Sequence, residues 1–169
     1  MFYIIAAYAV SAAVLYAAGM RRCGKDAVFS APGRFVFTLL SLTWGLPMTL
    51  AGALAALFLL VTGHRPKRFG YCALFELRKV RFGLSLGLFI IAPKGDLRAA
   101  AHEHGHSVQN IYFGPFMPLS VGIPSVLRYH FRRIKMKVTK RPCRRGYDGV
   151  WFERSATESG LDVQKNVRR

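Results

Sequence analysis

Acidic side chains are scarce in this chain. Eight Asp and Glu stand against 25 Lys and Arg among 169 residues, a formal net charge of +17, although 52% of the residues are hydrophobic. A soluble domain of this length normally carries both signs, and a disordered basic tail lacks such an apolar fraction, so charge and hydrophobicity must be segregated along the chain. They are: residues 1–62 carry a net +3 and residues 63–169 a net +14. The length excludes a large multidomain enzyme, since a compact domain takes roughly 150 residues. Cysteine is as rare. Cys23, Cys72 and Cys143 are scattered and form no CxxC, which excludes a disulfide framework and a thiolate metal site. Internal repeats and low-complexity tracts are absent as well.

The front of the chain reads as membrane. No charge occurs from Phe2 to Met20 or from Phe35 to Thr62, and about 20 apolar residues in a helix cover the roughly 30 Å of a bilayer's hydrocarbon core. Arg21 and Arg22 follow the first run instead of preceding it, which is the reverse of a cleaved signal peptide. Gly45, Leu46 and Pro47 make the second run one long tilted helix, a kinked one or a re-entrant hairpin. The expectation is an α+β membrane protein in which one or two transmembrane helices, about 2–20 and 35–62, form an anchor region over 1–62. A core over 63–160 and a polar tail over 161–169 follow. The flank 63–81 is more basic than the loop 21–34, which puts the core on the cytoplasmic side, as in a bacterial inner-membrane protein.

Beyond the anchors, Phe82 to Ala92 alternates large with small residues in the manner of a strand. Pro93 to Gly95 end it, and Asp96 is an N-cap for a helix from Leu97 to about Val108, with Asn110 a stop. Residues 107–127 carry no charge but contain Pro115, Pro118 and Pro124, so they read as an interfacial or re-entrant segment. Ile134, Met136 and Val138 alternate with Lys135, Lys137 and Thr139 like a basic-faced strand. Tyr147 to Gly160 reads as a helix capped by Asp148 and stopped by Gly160.

The chemistry concentrates in His102-Glu103-His104-Gly105-His106. Residues four apart share one side of a helix, so His102 and His106 can offer two imidazole nitrogens to one Zn2+. Glu103 is placed to take a proton from a water on that ion without ligating it, the HExxH arrangement. His104 falls off that face and reads as structural or surface. A hydrolytic zinc needs a third protein ligand. Downstream candidates are His130, Cys143, Asp148, Glu153, Glu158 and Asp162. Glu153 is preferred, because Ala156 and Thr157 share its face and small residues let a second helix approach closely. Glu158 is a rival, and Glu153 paired with one of the many bases is the bland alternative. Tyr129, His130 and Tyr147 are possible oxyanion donors, none singled out.

HExGH followed by a helical Glu-x-x-Ala resembles the gluzincin metallopeptidases, and residues 82–160 resemble small bacterial membrane proteins with a minimal gluzincin-like core. The resemblance rests on Gly83 to Gly87, His102 to His106, Gly114 to Pro124 and Phe152 to Ala156. It implies a zincin-like core of short strands, an HExxH helix and a Glu-bearing helix, with His102, His106 and Glu153 as ligands and Glu103 as the base. Many gluzincins carry Asp four residues after the ligand glutamate to hold a metal-bound histidine. This chain has Thr157 there, whose hydroxyl can still accept from an imidazole N–H but orients it less firmly.

Residues 128–145 hold nine bases and no acid. In a chain with membrane anchors these suit anionic lipid headgroups better than nucleic acid. The expected function is a membrane-bound zinc metallopeptidase acting on peptide bonds of a peptide or protein substrate near the membrane. The alternative is a non-catalytic membrane protein that uses 128–145 to bind anionic lipid, nucleic acid or a partner.

Overall fold

Four strands and five helices follow one another from Ala31 on in the computed structural model, which describes residues 3–8, 10–11, 13–14, 31–139 and 149–167. In chain order they are α1 (Ala31–Leu42), α2 (Leu46–Val61), β1 (Lys67–Phe69), β2 (Cys72–Leu77), β3 (Leu84–Leu86), β4 (Phe89–Pro93) and α3 (Leu97–Phe113). A 3-10 turn (Gly114–Phe116) and a π turn (Pro118–Gly122) then lead into α4 (Ile123–Thr139), and α5 (Trp151–Val167) closes the described chain. The short stretch before α1 is helical where it is described.

The sheet runs β1-β2-β4-β3. β2 and β4 are parallel, whereas β1 and β3 pair antiparallel with their neighbours. The alternating stretch 82–92 is thus a hairpin and not one strand. Gly87 turns it with φ +63, a left-handed conformation that glycine adopts without strain. A β-carbon on Gly87 would also press against the backbone of Thr49, 2.8 Å away. Within the hairpin, Ser85 pairs with Ile90 and Leu86 with Phe89.

Alternate residues serve two layers. Ser85 meets Ser107 of α3, hydroxyl to hydroxyl at 2.8 Å, and Leu86 and Phe89 lie against Gly52 of α2. Phe75, Leu88 and Ile90 are buried completely or nearly so in the resulting core. A smaller cluster of Met117, Val121 and Phe152 fills the space beside the turns that follow α3.

The structure overturns the membrane-spanning fold class. Among the described residues no single helix is long and apolar enough to cross a bilayer. The uncharged run 35–62 is two helices bent by 93° at Thr43–Gly45. Pro47 fits the first turn of α2, where no N–H is needed. Thr49, Gly52, Ala53, Ala56 and Leu59 form the buried side of α2, so this helix contributes to an α+β core. About half of the other proposed span, 2–20, lies outside the described residues. Residues 134–139 belong to α4 and are no strand. Residues 107–127 include the end of α3, both turns and the start of α4.

Candidate metal centre

Asp96 caps α3 through Ala99 N–H, 2.9 Å from Oδ1. The helix runs on past Asn110, whose side-chain amide donates instead to the Gly45 carbonyl and ties the α1–α2 turn to α3. This long helix carries His102 and His106 one turn apart with ring centroids 4.8 Å from each other.

α5 lies directly on α3 because both helices are bare at the crossing. A β-carbon on Gly105 would collide with the Ala156 carbonyl oxygen, and one on Gly160 with that of Ala101. Gly160 is therefore a packing residue inside α5 and not its stop. The close approach brings Glu153 to the histidines: Oε2 is 3.0 Å from His102 Nε2 and 3.3 Å from His106 Nε2. One ligand atom from each of the three side chains lies within 4.8 Å of the others, so His102, His106 and Glu153 could hold a metal ion.

The surroundings fix how these atoms point. Gln109 Nε2 donates to the Phe152 carbonyl at 2.7 Å, which leaves its Oε1 facing His106 Nδ1 at 2.8 Å. Only a protonated Nδ1 can satisfy that oxygen, so a neutral His106 carries its lone pair on Nε2, aimed at Glu153. Thr157 Oγ1 lies 3.0 Å from His102 Nδ1. Ser125 Oγ, in the first turn of α4, donates to Glu153 Oε1 at 2.7 Å. Each member of the triad thus has a polar partner behind it, the arrangement that orients metal ligands.

Burial sharpens the electrostatics. Glu153 has no solvent exposure. Desolvation pushes its carboxyl upward, but hydrogen bonds from His102, His106 and Ser125 outweigh this and hold it well below the usual carboxylate range. Desolvation pushes the His106 imidazole down, yet Glu153, Glu103 and Gln109 together raise it above its ordinary value. Glu103 is buried too, and desolvation raises its carboxyl against the pull of His106 and His102. It interacts electrostatically with the triad without belonging to it. Gly83 leaves the room it occupies, since a β-carbon there would strike the Glu103 carboxyl group.

The remaining candidates stand elsewhere. His104 is buried on the far side, where its Nε2 accepts from Tyr71 N–H at 3.2 Å and burial lowers its pKa to about 4. His130 and Glu158 are exposed and outside the triad. Tyr129 lies on α4 against Phe82. Cys143, Tyr147 and Asp148 lie outside the described residues. Sequence reasoning missed Gln109 and Ser125; only the position of Gln109 three residues after a candidate ligand hinted at its part. Comparison with protein-family models, with curated proteins and with solved structures finds no match.

Proposed function

We propose that the chain is a zinc-dependent hydrolase acting on peptide bonds. What supports this reading most is the pairing of a buried His-His-Glu triad with a second buried glutamate, Glu103, that borders the triad but does not join it. A neutral His106, whose Nε2 lone pair faces the Glu153 carboxylate, repels it unless a proton or a cation lies between them. A donor set of two imidazoles and one carboxylate suits zinc, with a fourth position left for water. Zinc bound there would supply Lewis acidity, lowering the pKa of a bound water and polarising a carbonyl oxygen.

The protein's own groups do the rest. Gln109, Thr157 and Ser125 hold the three ligands in orientation. Desolvation makes Glu103 a stronger base than an exposed carboxylate, suited to accept a proton from water and return it to the leaving amine. β3 lies at one edge of the sheet, where an extended peptide can pair with its backbone beside Gly83 and Glu103. The gluzincin resemblance implies the same assignment of roles. Glu103→Gln tests it: zinc content should stay at the wild-type level while peptide hydrolysis falls by about a thousandfold, the order of a general base's contribution. Hydrolysis at the wild-type rate in that variant would remove Glu103 from the mechanism.

A further inference from the structure

We propose that α4 is a membrane-surface helix that docks the domain on anionic phospholipid. This goes beyond the hydrolase reading and does not depend on it. No residue of α4 is buried. Ile123, Leu127, Phe131, Ile134 and Val138 recur at steps of four, four, three and four, which sets them on one side of the helix. All five are at least half exposed, from Ile123 at 50% to Val138 at 76%. Phe116 and Leu119, in the turns just before α4, are exposed at 61% and 66% and extend the apolar surface. From Ile123 to Val138 the stripe is about 22 Å long at the helical rise.

Its borders are cationic. At 100° per residue, Arg128 and Lys135 flank one side of the stripe and Arg133 and Lys137 the other. The helix contains no acid. Arg132 and Arg133 also line a groove of about 630 Å³ together with Lys79, Arg81, Phe82 and Tyr129, and no acidic side chain lines it. An apolar stripe between two basic borders suits a helix lying in the bilayer interface, its stripe among acyl chains and its long cations among headgroup phosphates. Other occupants fit less well. A second copy of a chain with net charge +17 would bring like charges together. Nucleic acid would engage the bases but leave the five apolar side chains in water.

The docking has a consequence for the metal centre. Ser125, in the first turn of α4, donates to Glu153. A surface-bound α4 therefore carries the triad to the membrane surface and presents it to whatever is held there.

The test is flotation of the purified full chain with vesicles of phosphatidylcholine alone or mixed with phosphatidylglycerol. The wild type should float with the mixed vesicles, more strongly than with phosphatidylcholine alone, and detach progressively as salt rises. The double variant Phe131→Ser and Ile134→Ser should partition about a hundredfold less. A second double variant, Arg133→Gln and Lys137→Gln, should lose roughly thirtyfold. Helical circular dichroism should be retained in both, because the altered side chains are exposed. Equal flotation of the wild type and both double variants would overturn the proposal. So would binding of a single-stranded oligonucleotide, unchanged in the Phe131/Ile134 variant, by a wild type that ignores the vesicles.

Discussion

Gln109 holds His106 by the nitrogen that faces away from the triad: its Oε1 lies 2.8 Å from Nδ1, and its own amide is anchored on the Phe152 carbonyl one residue before Glu153. One side chain thereby sets the tautomer of a candidate ligand on α3 and braces the segment of α5 that bears another. Gln109→Ala should weaken zinc binding about tenfold to a hundredfold, the usual effect of removing a partner that orients a ligand. Gln109→Glu, which keeps the acceptor but loses the anchor, should restore part of that loss. Competition against a chromophoric chelator measures both, and unchanged affinity in Gln109→Ala would show that His106 is oriented by other means.

The triad also depends on bare backbone. Gly105 faces the Ala156 carbonyl with no room for a β-carbon, so Gly105→Ala must push α5 away from α3. A loss of about 1–3 kcal/mol is expected from overpacking of this kind, together with loss of metal as Glu153 retreats from the histidines. Chemical denaturation and zinc analysis of the same preparation check the two effects together. A variant with wild-type stability and metal content would mean that the helices can part without disturbing the site.

Cys72 should be chemically silent. Burial pushes its thiol up to about 12, against a small opposing effect of the Ser107 hydroxyl. At pH 8 the thiolate is then about a thousandfold scarcer than for a thiol at its ordinary value. The neutral thiol's contribution to stability is fully present below pH 9 and is lost as pH rises from 9 toward 12, because the unfolded chain ionises first. Peptide-level mass spectrometry after iodoacetamide should find Cys72 unmodified in the native protein and modified in denaturant. Rapid labelling without denaturant would place it nearer to solvent than the core position described.

Much of the site was legible because its chemistry is local. Asp96 and the four-residue spacing of His102 and His106 mark a helix and one of its faces, and Ala156 and Thr157 mark Glu153 as facing a close neighbour. Thr157 does stand at His102 Nδ1. Gln109 and Ser125 were not legible, since an amide and a hydroxyl acquire their roles only when α4 and α5 fold back onto α3. The fold was harder to read where hydropathy was the only guide. Residues 35–62 satisfy the composition of a span, and Gly45, Leu46 and Pro47 mark the place of a kink, but its 93° angle and the way the small residues Gly52, Ala53 and Ala56 let α2 lie against a sheet come only with the tertiary packing. The alternation over 134–139 was too short a window. The longer register of Ile123, Leu127, Phe131, Ile134 and Val138 carries the helical period.

Metal analysis of the purified protein tests the account most directly. Wild-type protein purified without chelator and dialysed against zinc-free buffer should retain equimolar zinc by inductively coupled plasma mass spectrometry. His106→Ala and Glu153→Gln, with helical content unchanged, should retain almost none. Zinc absent from the wild type, or equally abundant in all three proteins, would contradict a metal centre at His102, His106 and Glu153.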